Sequence, residues 1–222
     1  MTQQISKTQS IIDVPNNLFR LTPKHVDRAG QVAGRAFQED PVTLFSIPDK
    51  KDRIEKLSYT FRMLYAYGVR HGVSYASSSN MEGIIIWLPP DKMYPSFWAM
   101  MRHGGLKMMF KISNFKKGAM KMMKTSMAIF NYEEERHKAL VPYEHWYLQN
   151  IAVEPTEQGK GYGSLLISSM TEKIDSIGLP IFLETNTEKA ASLYQRHGFE
   201  VIEHTIIPET DVPLWCMLRR PR

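Results

Sequence analysis

The chain has 222 residues, 43% hydrophobic and 23% charged, with a formal net charge of +5. That is enough for one large domain or at most two small ones of ordinary globular composition. The single cysteine, Cys216, excludes an intramolecular disulfide and fits a reducing cytoplasm. The mildly basic balance suits an anionic ligand such as a polyphosphate cofactor. No zinc-finger spacing or aromatic-rich RNA signature supports nucleic acid.

The opening "MTQQISKTQSIIDVP" lacks the basic, apolar, small-residue order of a signal peptide. It reads as a flexible tail over residues 1–16, ahead of a single domain over 17–222. The most apolar run, "GIIIWL" at Gly83 to Leu88, is far too short to cross a bilayer, so no membrane span is expected.

"LFRLTPKHVDRAGQVAGRAF" predicts a short strand and then a helix. Thr22 is placed as N-cap, Pro23 in the first turn, and Val26, Ala29, Val32, Ala33, Ala36 and Phe37 fall at helical spacing. "EDPVTLFSIPD" reads as a loop. A second helix is expected from about Lys51 to Tyr67, with Ile54, Leu57, Phe61 and Leu64 on one face. "VSYAS", "SSNMEG" and "GIIIWLP" predict a hairpin whose second arm, continuously apolar, is buried on both faces.

Met93 to Leu140 reads as mostly helical, and eight of the 14 methionines lie between Met100 and Met127 among lysines. Ordinary amphipathic helices would put Met in the core and Lys in water. An adaptable apolar wall beside a substrate cleft is the functional alternative, because Met repacks around varied shapes. A membrane-surface helix would also suit the pattern, but Gly104, Gly105, Asn114 and Gly118 interrupt it.

"HWYLQNIAV" predicts a strand. Trp146 and Leu148 share one parity, Ile151 and Val153 the other, and a slip near Gln149 and Asn150 is what a β-bulge produces. A strand simply buried on both faces is the alternative. A helix with Leu166, Met170, Ile174 and Ile177 at four-residue intervals follows and stops at Gly178. Then come the strand "PIFLET", the short helix "TEKAASLYQRHGF" closed by Gly198, a strand from Phe199, and the strand "VPLWCMLR". Alternating strands and helices predict an α/β sheet with at least one parallel pair.

Between Val153 and the next helix lies "EPTEQGKGYGS", with Gly159, Gly161 and Gly163. A loop that opens a helix has amides without helical partners, and glycine permits positive φ and close approach. Such amides and the positive end of the helix dipole cradle phosphates. Gln158 and Lys160 would add a donor and a charge at the rim. No G-x-x-x-x-G-K-[ST] string is present, and the glycine spacing departs from G-x-G-x-x-G. Gln158, Gly161 and Gly163 give Q-x-x-G-x-G.

"LQNIAVEPTEQGKGYGSLL", "LET" and "LYQRHGF" resemble, in order and spacing, the acetyl-CoA-binding half of the GCN5-related N-acetyltransferases. "PLWCMLR" and "AFQEDP" look further like the puromycin N-acetyltransferase branch. The resemblance covers about Trp146 to Arg219. It implies a mixed twisted sheet with a bulged, splayed central strand flanked by helices, with residues 93–140 as a helical substrate-side insertion and 145–219 as the acetyl-CoA half. Acetyl-CoA would lie between the bulged strand and "PIFLET". Ile151, Ala152 and Val153 would offer backbone to the pantetheine, and the amides of Gln158, Gly159, Lys160, Gly161, Tyr162, Gly163 and Ser164 would hold the pyrophosphate. The positions where the family carries a cofactor-contacting Asn hold Thr187 and Ala190; Asn186 is adjacent but out of phase.

The implied reaction is direct attack of a primary amine of a small molecule on the thioester within a ternary complex. Tyr194 matches the family's general acid. Glu184, ending a strand beside the expected cleft, is the candidate base, with His145 and His197 weaker ones. His197 reads instead as a helix-end residue favouring the dipole. Cys216 reads as a buried strand residue, and no metal site is expected, since His103 and His137 lack partner spacing. A protein or peptide amine as acceptor, and a non-catalytic coenzyme-A sensor, are the alternatives. The oligomeric state stays open, a homodimer included.

Overall fold

The computed structural model describes residues 17–51, 53–94 and 119–222, the side chains of 119–123 excepted. The expected tail over 1–16, and most of the Met- and Lys-rich stretch, lie outside the described residues.

In chain order the elements are β1 (Phe19–Arg20), α1 (Val26–Ala36), α2 (Pro41–Ser46), α3 (Arg53–His71), β2 (Val73–Ala76), β3 (Gly83–Leu88) and α4 (Ala119–Leu140). There follow β4 (Trp146–Val153), α5 (Tyr162–Asp175), β5 (Ile181–Thr185), α6 (Glu188–Arg196), β6 (Glu200–Ile206) and β7 (Pro213–Arg219). The strands form one seven-stranded sheet in the order β1-β2-β3-β4-β5-β7-β6. β4 and β5 are the one parallel pair among the described strands.

The hairpin of β2 and β3 is present, and all six residues of β3 are buried. An unbroken apolar strand is what two covered faces require. One face carries Ile85, Trp87, Trp146, Leu148 and Leu183, packed under α5 and α6 by Leu166, Met170, Ile174 and Tyr194. On the other face, α1 and α3 cover Ile84, Ile86 and Ala152, while α4 covers Phe182, Cys216 and Leu218.

The stretch read as a loop between Glu39 and Asp49 contains α2. Asp40 accepts from the Val42 amide at 3.0 Å and Pro41 stands at the first helical position, so an Asp-Pro start overrides the proline and serine content that suggested a loop. α3 begins and ends later than expected. Leu57 is buried but Ile54 is 41% exposed; the covered stripe continues through Tyr65 and Gly68. The last strand, β7, lies inside the sheet, and β6 is the edge. Arg219 on β7 is 5% exposed; it pairs with Asp175 at the end of α5 at 2.6 Å and donates to the His197 carbonyl at 3.0 Å.

α1 lies close on α3 because of Gly30. A Cβ there would sit 2.6 Å from the Ser58 carbonyl oxygen and 2.9 Å from the Arg62 Cα, both main chain. Gly30→Val should therefore lower unfolding stability by about 1–3 kcal/mol, since backbone cannot move aside as a side-chain tip can. Denaturant titration of the variant against the parent chain checks it.

Candidate active site

β4 pairs with β3 along its whole length, but the register slips. Ile86 faces Asn150 and Trp87 faces Leu148, so Gln149 is the extra residue of a β-bulge. The slip turns Ile151 onto the face already occupied by Trp146 and Leu148, as their change of parity predicts. Asn150 turns the other way and is buried, its side-chain oxygen accepting from the Tyr65 hydroxyl of α3 at 2.9 Å. That bond holds the bulge from behind.

On its other edge β4 pairs with β5 only at Trp146 with Ile181 and Tyr147 with Phe182. From Leu148 onward the two strands part. A parallel pair that separates leaves a wedge with main-chain donors and acceptors on its wall.

The wedge opens towards the glycine loop. Gly159 and Gly161 have φ of +82° and +88°, and Gly161 is the N-cap of α5. Left-handed backbone at both positions is what glycine supplies at low cost. A Cβ built on either would meet nothing within 4 Å, so free space lies in front of this loop. The first-turn amides of α5, at Tyr162, Gly163 and Ser164, have no helical acceptors. The side chains expected at the rim are engaged locally: Gln158 donates to the Val153 carbonyl at 3.4 Å and Lys160 pairs with Glu157 at 2.8 Å. On the α1 side of the loop, an open hollow of about 350 Å³ is lined by Arg28, Arg35, Glu82, Glu154 and Glu157. Arg35 is bidentate on Glu154, and Arg28 donates to the Asn80 carbonyl at 2.7 Å.

Tyr194 and Glu184 lie on opposite faces of the sheet. Tyr194 on α6 is 6% exposed, belongs to the core beneath α5, and meets the Phe199 ring edge-on at 5.8 Å. Burial raises its phenol above the ordinary value, so it keeps its proton. Glu184 shares the parity of Phe182 on β5 and points to the α4 face. Its side chain is 8% exposed. Burial raises its pKa well above the carboxylate range, and the Glu133 carboxyl adds to this.

Around Glu184 stands a buried polar cluster. The Tyr147 hydroxyl donates to it. His137 of α4 places Nδ1 3.6 Å from Glu184 Oε1 and stacks on Phe182 at 4.1 Å. Glu133, one turn before His137, accepts from the Asn186 amide and is raised by burial to about 7. Asp40 at the start of α2, raised by burial to about 6, also acts on Glu133. Among the described residues no Lys or Arg pairs with Asp40, Glu133 or Glu184. Asn186 also donates to the Pro213 carbonyl at 2.9 Å, so its amide is turned to this face. Thr187 caps α6 through the Ala190 amide.

The sequence reading did not single out Glu133, Tyr147 or His137 for this site. Their signal is the four-residue spacing of Glu133 and His137, which puts two ionisable groups on one face of α4. His197 is lowered by burial and by Arg196 and Arg219, which works against the charged helix-end role expected of it. Cys216 is buried and its thiol is pushed up, which suits a structural strand residue. No group of residues with metal-ligand geometry occurs among the described residues.

Comparison with known proteins agrees with this geometry. Residues 126–201 match the acetyltransferase (GNAT) domain family. An uncharacterized N-acetyltransferase of Schizosaccharomyces pombe is 27% identical over 211 residues, covering 91% of this chain and 82% of that protein. Among solved structures, a histone acetyltransferase HPA2 and related acetyltransferase from Corynebacterium glutamicum superposes with a TM-score of 0.61 at 20% identity, covering 93% of this chain and 96% of that one. The polyamine N-acetyltransferase of Drosophila melanogaster gives 0.51 at 12% identity, with 91% and 98% covered. The ribosomal-protein-S18-alanine N-acetyltransferase of Escherichia coli gives 0.52 at 13%, with 92% of each chain covered.

The raised Glu133 carboxyl has a consequence for stability. Its proton is held more tightly in the fold than in the unfolded chain. The stability it supports is thus full below the unfolded value of about 4.3 and is lost as pH rises through about 7. Glu133→Gln keeps an acceptor for Asn186 and removes the charge. Its thermal midpoint should exceed the parent's at pH 8 and match it at pH 4, as differential scanning calorimetry would show.

Proposed function

We propose, from the match of residues 126–201 to the acetyltransferase (GNAT) domain family, that this chain transfers acetyl from acetyl-CoA to the primary amine of a cationic small molecule. The observation that carries the reading is the parting of β4 and β5 after Tyr147, with the Gly159–Gly161 turn at its mouth. The free edge of β4 at Ile151, Ala152 and Val153 would take the pantetheine as an added strand. The amides from Gln158 to Ser164 would take the pyrophosphate. The thioester would then reach the bulge, where a main-chain N–H faces the developing oxyanion.

An alkylamine is an ammonium near pH 7 and must lose a proton before it attacks. Glu184 is the base in this reading. A carboxyl raised toward the working pH accepts that proton more readily than an ordinary one. Tyr194, on the opposite face, would return a proton to the departing thiolate. Asp40, raised to about 6, and Glu133, raised to about 7, ionise near neutral pH with no Lys or Arg partner among the described residues, which favours an acceptor bearing positive charge over a neutral one. The shared fold does not choose between acceptors, since solved relatives act on a polyamine and on a ribosomal-protein alanine. The withdrawn carboxyls are the reason to place this chain with a small amine.

Gly161→Glu should abolish coenzyme-A binding by calorimetry while circular dichroism stays unchanged, because the new side chain would stand in the phosphate position; retained affinity would remove the loop from the site. Tyr194→Phe should lower kcat about 100-fold with little change in KM, if the phenol is the acid. Unaltered turnover in a thiol-release assay would dismiss it. Glu184→Gln should erase the acid limb of the rate profile, the limb on which activity is lost as pH falls through the carboxyl's raised pKa.

A further inference from the structure

Two buried histidines outside the proposed reacting groups form a line that ends at Glu184. His137 is 2% exposed and His145 is 1% exposed. His145 Nδ1 lies 2.6 Å from the Tyr143 carbonyl oxygen. A carbonyl only accepts, so Nδ1 carries the hydrogen and, in the neutral ring, Nε2 is bare. That bare nitrogen lies 2.7 Å from His137 Nε2, which must therefore donate. His137 Nδ1 is then bare in turn, and it is the atom facing Glu184 Oε1 at 3.6 Å. One backbone carbonyl thus dictates two tautomers and presents a proton acceptor to the proposed base. Burial lowers both imidazoles, His137 to about 3, which keeps both rings neutral at rest.

We propose that His137 and His145 form a proton relay behind Glu184, an inference that rests on the acetyltransferase reading above. Once a side-chain shift brings the 3.6 Å pair to hydrogen-bond distance, Glu184 Oε1–H gives its proton to His137 Nδ1 as His137 Nε2–H gives its own to His145 Nε2. The products are a Glu184 carboxylate, a neutral His137 of the other tautomer, and a His145 imidazolium whose Nδ1–H remains on the Tyr143 carbonyl. The substrate ammonium then protonates the carboxylate and becomes the free amine. The balance is one proton moved from the ammonium to His145, with no change of oxidation state. Acylation of an ammonium releases one net proton, and the relay gives it a place away from the thioester. After product release Glu184 gives its proton to solvent, and the proton on His145 then returns to the emptied carboxylate through His137 by the reverse steps.

The groups facing His137 are Lys138 on α4, Glu184 on β5, Tyr147 on β4, His145 before β4, and Tyr94, whose ring lies 5.2 Å from the imidazole; Glu133 on α4 acts on Glu184. Cys216 on β7 and Asp40 act on the same cluster through Glu184 and Glu133.

Nitrogen-15 NMR of the histidine-labelled free protein reads the tautomers directly. The relay requires His137 protonated at Nε2 and His145 at Nδ1; the opposite tautomer at either ring overturns it. The kinetic arm compares the parent chain with His145→Gln and His137→Phe on a diamine acceptor across pH 6–10. Gln still accepts from His137 Nε2 but cannot take a proton, so a merely positioning role is rescued by it and a relay is not. Phe retains the stack on Phe182. Both variants should lose on the order of 100-fold in kcat at pH 7 with KM unchanged. The loss should shrink as pH approaches the amine's own pKa, where solvent supplies free amine. A loss constant across pH, or parental kinetics in His145→Gln, overturns the relay and leaves the acetyltransferase reading intact. A parent chain that acetylates no amine in a broad panel overturns both.

Discussion

The parallel contact between β4 and β5 lasts two residue pairs, and the remainder of the site depends on its ending there. A sheet normally uses every interior main-chain donor and acceptor, because an unpaired one costs the free energy of its lost hydration. Here one strand edge is withheld from its neighbour over the stretch that follows Tyr147. The Gln149 bulge bends β4 away, and the Tyr65–Asn150 hydrogen bond fixes the bend from α3. The loop at the mouth then needs left-handed backbone to enter α5, which Gly159 and Gly161 provide.

The sheet also separates two chemistries. On one face Tyr194 sits in an apolar core under α5, where a phenol stays protonated. On the other, α4 lowers two ionisable side chains onto β4 and β5, where carboxyls hold protons well above their ordinary range. Withdrawing three carboxyls from water works against folding at neutral pH. The apolar layers that bracket them, from Ile129 and Val141 to Leu214 and Leu218, supply the offsetting burial.

What could be read from the residues was mostly local. The parity change between Leu148 and Ile151 announces the bulge, since side chains alternate strictly unless a residue is inserted. The unbroken apolar run of β3 announces its double burial. The four-residue rhythm of Leu166, Met170 and Ile174 gives the buried face of α5, and all three are fully covered. Other features depend on contacts distant in sequence. α2 was hidden because Asp40-Pro41 serves a turn or a helix start equally well. The Glu184 cluster was legible only in part, at Glu184, Asn186 and His145, because its other partners come from α4 and β4 and are joined by the sheet alone. The interior place of β7 is likewise a matter of topology, on which periodicity is silent.

That placement of β7 bears on biogenesis. The chain is made from its amino end, so β6 emerges before β7, yet β7 is the strand that lies against β5. Until β7 arrives, one border of β5 is bare along Ile181–Thr185, and Arg219 has not yet bridged Asp175 to the end of α6. The nascent polypeptide therefore passes through an interval in which an apolar strand is open to mispairing.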